Sequence, residues 1–550
     1  MRLPGTSDGP EASRTDLVLA LVTLLLSFLY LCLFRRYTFL DLDEGIILQG
    51  AQRILDGQVL YRDFFAFVTP GSYYLLAIEF WLFGNTYLVA HTCLAVLGSI
   101  FAPITYLLAR RVCGRETSLL VTGLMTVTAV PLVFAVLHNW DSTLWACLAL
   151  YCAVRLQERP CAAWAFATAS FTSLTILFEQ SKGAGLLLGL TVGLLIAKFG
   201  TSDAELLNRK QVGAILGGLS WPLIIAFIYF AAHHALTVML ADWLWPLQHY
   251  SAANRVPWGY CNMSDEAQHL ILGAKAVSFR LLVMLVYSAT FWVPLLPILG
   301  TALFLRLSYL RLRNKAIPAE WGYYVLVSGT ITGLMLSVVA GRLDYFHFMF
   351  LQPIFFVGLA WLLDGKSIRN KLFRRVAPVV GLCVSLSLLA EASQLLFQAQ
   401  TGQPVLTRRG NITMKKRDEV IERVQDFVAP RERILIYPYL STYYYLTQTY
   451  SPTRYEYYQP GMHTFQQLDE MVADFSAKPT RFVLYEPDFA DHIRKAWPNT
   501  PAGALVRDPM ADYIQREYRA CLNFDSSTDW HFVFMVRKDL GCPNLERTSR

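Results

Sequence analysis

What most constrains this chain is a succession of apolar stretches, each about as long as a bilayer is thick. A hydrocarbon core of roughly 30 Å needs roughly 20 apolar residues per helix. Stretches of that kind run over 17–34, 87–110, 117–137, 139–156, 162–179, 183–199, 212–232, 279–305, 321–341, 345–363 and 376–396. They predict a polytopic α-helical membrane protein with about eleven transmembrane helices. Composition agrees, with 16% charged residues and a mean hydropathy of +0.36 against about 25% charge in a soluble domain. The first stretch lacks a small-residue cleavage site and runs into an acidic loop, so it reads as a retained helix rather than a signal peptide.

The formal charge of +7 does not mark a nucleic-acid binder, because the cations lie in short clusters between apolar spans. Those clusters orient the chain, since cationic loop residues stay on the cytoplasmic side. With residues 1–16 as a cytoplasmic tail, one side collects Arg110, Arg111 and Arg115; Arg155 and Arg159; Lys198, Arg209 and Lys210; Arg306, Arg311, Arg313 and Lys315; and Lys366, Arg369, Lys371, Arg374 and Arg375. Among the clusters beside the spans, the exception is Arg35-Arg36, which falls opposite. The other face receives nearly all the unusual polar chemistry.

The densest part of that chemistry is Phe39-Leu-Asp-Leu-Asp-Glu-Gly45, within an outer loop drawn at 35–86. Carboxylates beside a bilayer are costly unless water or a partner meets them, and so they mark function; a solvated acidic linker is the plain alternative. Two amphipathic segments follow that are too short to cross. Ile47, Ala51, Ile54 and Leu55 recur at helical spacing, which suits a helix lying in the interface. Pro70 to Phe83 repeats the pattern with Tyr73, Tyr74, Trp81 and Phe83, rings that favour the headgroup level.

The membrane domain is drawn at 17–397. Beyond it, at 398–550, prolines and charges become frequent, and β-rich runs (434–437, 481–485, 532–536) alternate with helical patterns (418–427, 465–475, 488–497, 510–518). This predicts an extracytoplasmic α/β domain. It has no glycine-rich phosphate loop. The tyrosines between 437 and 458 suit packing against the membrane domain or stacking on sugars. Ten cysteines without CxxC or Cys/His spacing indicate neither a zinc site nor a disulfide scaffold. The acidic cluster has no histidine partners, so no metal and no cofactor is expected. Of two sequons, Asn262 and Asn411, nothing is made.

The acidic pair after the first span, the turn Asp56-Gly57, Tyr61-x-Asp63, Pro70-Gly-x-x-Tyr74 and the stop Leu82-Phe-Gly84 together resemble the GT-C glycosyltransferases. The branch is that of the dolichyl-phosphate-mannose protein mannosyltransferases, which includes the bacterial lipid A aminoarabinose transferases. The resemblance is strongest over 39–111 and continues to about residue 363 through the turn Gly341-Arg-x-Asp344-x-x-His347. It implies an inverting transfer of a sugar from a polyprenyl-phosphate donor to an acceptor hydroxyl at the outer face of a bacterial plasma membrane. The acceptor would be a glycolipid, polysaccharide or protein; the other partner is the bilayer itself.

On that resemblance Asp43 is the general base, Glu44 orients it or holds the acceptor, and Asp63 is a second catalytic acid. Arg342 is the foremost phosphate ligand, because a guanidinium binds phosphate oxygens bidentately, with Lys182, Arg62 and His347 behind it. The chain departs from the pattern where Val68-Thr69-Pro70-Gly71 replaces a Lys-Pro-Pro turn, and it lacks the inserted domain of the protein mannosyltransferases. Two other classes share many spans and buried polar groups: a transporter or flippase for lipid-linked sugars, and a non-catalytic assembly protein. The first tends to show internal repeats and interrupted midplane helices, and neither is evident here.

Overall fold

The computed structural model describes residues 13–198, 208–249, 253–260, 273, 276–279, 293–313, 320–364, 371–528 and 530–543. The N-terminal part is a helical bundle of α1 (Arg14–Leu31), α2 (Leu42–Leu55), α3 (Gly71–Phe83), α4 (Tyr87–Ala109), α5 (Arg115–Thr128), α6 (His138–Glu158), α7 (Ala162–Phe178), α8 (Gln180–Lys198), α9 (Arg209–Ala232) and α10 (Leu236–His249). It continues with α11 (Leu296–Leu312), α12 (Trp321–Ala340), α13 (Tyr345–Met349), α14 (Gln352–Asp364) and α15 (Lys371–Thr401). Among the described residues, eight helices are long and apolar enough to cross a membrane.

Their sequences explain their limits. Ser13 caps α1 through a reciprocal bond with Asp16, and Asp16 is gripped in turn by Tyr106, Arg110 and Arg115. This ties α1 to α4 and α5 at one end. Leu17, Leu21 and Leu25, one helical turn apart, stay exposed and face outward as a lipid stripe. Helices α8 and α12 cross closely because Gly185 and Gly189 meet Gly329 and Gly333 backbone to backbone, leaving no room for a Cβ. Without a hydrophobic drive between helices in lipid, such small-residue contacts supply the packing.

Three expected spans differ. The one drawn at 117–137 is α-helical to Thr128, breaks at Ala129 and continues as a short 3-10 turn over Val130–Val133 with Pro131 at its start, and residues 134–137 run on without helix. The one drawn at 345–363 breaks at Phe350 and Leu351 into α13 and α14, and the latter spans only roughly 20 Å at 1.5 Å per residue. Of the one drawn at 279–305, residues 280–292 lie outside the described residues; the remainder is the start of α11.

The C-terminal part begins with the hairpin β1 (Gln403–Thr407) and β2 (Gly410–Met414), which clamps the chain just after α1: Thr38 donates to the Thr413 carbonyl and Thr413 to that of Arg36. A four-stranded sheet follows, ordered β3 (Leu435–Tyr437), β4 (Phe482–Tyr485), β6 (His531–Arg537), β5 (Tyr518–Asp525), with β3 and β4 parallel and the rest antiparallel. Ile436 pairs with Leu484, and Leu484 with Phe534. Helices α16 (Glu419–Phe427), α17 (Thr442–Leu446), α18 (Phe465–Ala477), α19 (Phe489–Ala496) and α20 (Pro509–Glu517) complete the domain. The predicted strands and the four longer helices appear within a few residues of the expected limits. The hairpin and β5 escape the pattern because only two residues of each strand are buried. A disulfide joins Cys521 of β5 to Cys542, 21 residues on. It corrects the cysteine reading, since an isolated pair at that separation carries no spacing signature.

Helix α2 is covered by this domain instead of lying half-exposed at an interface. The side chains of Thr442 and Ser441 donate to the carbonyls of Asp41 and Leu42, Gln49 donates to that of Thr449, and Arg53 pairs with Glu456 at 3.3 Å. Helix α3 keeps Ile78, Trp81, Leu82 and Phe83 exposed, as an interfacial helix should.

The seam is tight at Gly45, where an added Cβ would overlap the backbone of Thr442. Overpacking of that kind costs about 1–3 kcal/mol. Gly45→Val should therefore lower the melting temperature in detergent and open the C-terminal domain to protease, whereas Gly123→Val, which meets nothing within 4 Å, should not.

Candidate active site

Between the bundle and the C-terminal domain lies a cavity of about 520 Å³. Asp41, Asp43 and Ile46 of the α2 start form one side, and Arg342, Asp344 and His347 another. Tyr439, Tyr457, Gln459 and Trp497 bring the C-terminal domain to a third.

The α2 start is set by Asp41, which caps the helix by accepting from the Glu44 amide at 3.0 Å. One residue on from the cap's neighbour, Asp43 is exposed into the cavity and accepts no hydrogen bond from the described residues. The Asp41 carboxyl is pushed up to about 7, first by burial and then by the charge of Asp43. At neutral pH Asp41 is thus partly protonated.

Opposite, Asp344 caps α13 by accepting from the His347 amide at 2.9 Å. It also holds the His347 ring at 2.7 Å and Arg342 at 2.6 Å. Burial would raise the Asp344 carboxyl, but the charge of His347 and then that of Arg342 hold it below its ordinary value. Burial likewise disfavours imidazolium at His347, yet the charge and hydrogen bond of Asp344 raise it above 6.5. The turn is pinned from both sides: Tyr345 donates to Tyr260, and Arg342 donates to the Ala496 carbonyl at the end of α19. The Arg342 guanidinium also lies 5.5 Å from the centre of the Trp497 ring.

Of the residues singled out by sequence, the structure brings Asp43, Arg342 and His347 to one cavity. Glu44 is buried one residue away and faces the bundle, where its carboxylate meets His91 Nε2 at 2.6 Å, the Tyr87 hydroxyl at 3.2 Å and the Val136 amide at 2.9 Å. Asp63 lies outside the cavity, engaged by Arg62 at 2.8 Å and by the Val59 amide at 2.7 Å. The side-chain bond to Arg62 holds its carboxyl below the ordinary value. Lys182 sits behind the wall, bonded to Glu179 at 2.8 Å, to Ser142 and Thr143, and to the carbonyl of the cavity residue Asn139. Sequence reading took Asp344 only as a member of the 341–347 turn and Tyr439 and Tyr457 only as part of a tyrosine-rich stretch, and it missed Gln459 and Trp497 as wall residues. Only proximity in the fold marks them.

The arrangement offers an unpaired carboxylate and a cationic pair around a space large enough for a small organic group. No family model matches the chain, and no curated protein matches it in sequence. Among solved structures, the crystal structure of ArnT from Cupriavidus metallidurans bound to undecaprenyl phosphate is similar over 97% of this chain and 100% of that one, with a TM-score of 0.53 and 14% identity. The fold is GT-C. An oligosaccharyltransferase from Archaeoglobus fulgidus in the apo form is similar over 86% of this chain and 70% of that one, at 10% identity and a TM-score of 0.49; the fold assignment rests on the first. In this GT-C fold the outer-loop carboxylates and the turn at 341–347 come together only through the packing of α2, α13 and the C-terminal domain.

Two predictions follow from the partners. Glu44→Ala strips three buried donors of their acceptor, each such loss costing about 1–3 kcal/mol, so the variant should melt markedly lower in detergent and accumulate poorly in membranes. His347 binds its proton more tightly folded than free, so the stability it adds is full below about 6.5 and is lost as pH rises through the higher folded value. The melting-temperature gap between wild type and His347→Gln should therefore shrink from pH 6 to pH 9.

Proposed function

We propose that this protein transfers a sugar from a polyprenyl-phosphate donor to an acceptor hydroxyl, with inversion, at the outer face of a bacterial plasma membrane. The observation that carries the reading is the meeting of an unpaired carboxylate, Asp43, and the cations Arg342 and His347 around one cavity. The GT-C fold supports it, as does the undecaprenyl phosphate named with the similar ArnT structure.

Each group then has a task. Asp43 takes the proton from the acceptor hydroxyl as its oxygen bonds to the sugar's anomeric carbon. The bond from that carbon to the phosphate oxygen breaks, and the lipid phosphate leaves with the electron pair. Arg342 and protonated His347 meet the charge that grows on the phosphate, in a site where much of the water is excluded. Asp344 aims both cations and keeps His347 charged. Asp41, partly neutral, limits repulsion against Asp43. Glu44 holds the α2 start in place and touches no substrate. Asp63 and Arg62 brace each other at the loop, and Lys182 supports the wall at Asn139.

Orientation follows the cation clusters, with the N-terminus cytoplasmic and the C-terminal domain outside. The Cys521–Cys542 disulfide supports the same side, because such bonds persist in oxidising compartments.

The test is release of polyprenyl phosphate from short-chain polyprenyl-phosphate sugars by purified protein. Wild type should release it with at least one sugar, and Asp43→Asn should be about 10²–10⁴-fold slower, the usual contribution of a general base. Arg342→Ala should chiefly raise the donor KM. If wild type releases nothing from any donor but moves labelled lipid across proteoliposomes, the protein is a transporter.

A further inference from the structure

The cavity wall contributed by the C-terminal domain holds a polar group without a partner. Gln459 is 3% exposed, lines the cavity, and its side-chain Nε2 has no hydrogen-bond partner among the described residues. A buried amide left so loses about as much as a broken hydrogen bond unless something meets it. Its position is not loose. The Gln459 backbone N–H donates to His463 Nδ1 at 3.1 Å, and the His463 amide donates back to the Gln459 carbonyl at 3.0 Å. The His463 ring is packed by Phe65, Tyr457 and Tyr458 at 5.0–5.7 Å between centres. Burial pushes that imidazole down to about 4, so it stays neutral and keeps accepting. The turn therefore fixes the Gln459 backbone at the wall.

Aromatic rings connect this amide to the phosphate end of the cavity. Trp497 lies beneath Arg342, Tyr439 packs on Trp497 at 5.6 Å, and Tyr457 packs on Tyr439 at 5.9 Å. A sugar one bond away from a phosphate held at Arg342 must lie against these rings. Aromatic faces suit the apolar C–H faces of a sugar, while an amide N–H suits a ring hydroxyl oxygen. Tyr439, Tyr457, Gln459, Met462 and Trp497 bring no charge to this wall.

We propose that Gln459 is a specificity-determining residue that donates a hydrogen bond to a hydroxyl of the donor's sugar, which is uncharged and rests on the Tyr439–Tyr457–Trp497 wall. The inference rests on the transferase reading above and adds to it the residue that reads the sugar and the sugar's class.

The experiment is titration calorimetry of the full-length protein in nanodiscs with two probes, a short-chain polyprenyl phosphate and the same lipid carrying a neutral hexose or pentose. Wild type should bind at least one sugar-bearing lipid tenfold or more tighter than the bare one. Gln459→Met, close in shape but without a donor, should lose most of that preference and keep the wild-type affinity for bare lipid, which also reports that the cavity is intact. If Gln459→Met loses both lipids, Gln459→Asn is read in the same way. Retention of the full sugar preference by the variant, or no preference in wild type, overturns the inference and leaves the transferase reading standing. An effect confined to the acceptor KM overturns the assignment to the donor. Failure of wild type to bind either lipid overturns both readings.

Discussion

The arrangement of this protein depends on a buried carboxylate. Glu44 gathers His91 and Tyr87 of α4 and the backbone of Val136, three donors from two separate parts of the bundle. A carboxylate taken out of water is destabilising unless its oxygens are met, so this contact is satisfied only when α2, α4 and the segment after α5 assume one relative placement. That placement turns the preceding residue, Asp43, the other way. Two adjacent acids thus divide the work by geometry: one closes the bundle and one is left free in the cavity.

The second dependency is the seam over α2. Because Gly45 has no side chain, α17 of the C-terminal domain reaches the helix backbone, and the bonds from Thr442, Ser441 and Gln49 tie the two parts along one line. The fully buried Tyr445 stacks on Phe80 of α3 across that contact, while Tyr439 and Tyr457 line the cavity. The tyrosine-rich stretch is therefore split between packing and the cavity wall. The cavity exists because the domain docks there; neither part encloses it alone.

Much of the fold could be read from residue patterns. Apolar length marked most helices of the bundle, and the alternation of β-rich and amphipathic runs marked the core of the C-terminal domain. The patterns failed where local signals were weak or contradicted. The apolar stretch that length alone would have carried to residue 137 changes helix type ahead of Pro131, and the run at 345–363 breaks at Phe350 and Leu351, just ahead of Gln352-Pro353, because a proline disfavours helix in the residue before it. The strand β5 has buried residues only at Tyr518 and Phe524, too few for a period of two to show. Within the site, Asp43, Arg342 and His347 were visible as polar groups between apolar spans. Lys182 and Asp63 looked equivalent to them, since a sequence shows the presence of a charge but not its partner.

The sequence by itself determined a multi-pass membrane protein, because apolar length is a property of the chain read locally against a bilayer. Tertiary structure alone decided which charges stay free. Glu179 neutralises Lys182, Arg62 engages Asp63, and three donors consume Glu44, whereas Asp43 is left unpaired opposite a cationic pair. Lys182 and Asp63 find their partners within their own turns, whereas the donors to Glu44 lie 43 to 92 positions away and only the packed chain brings them to about 3 Å.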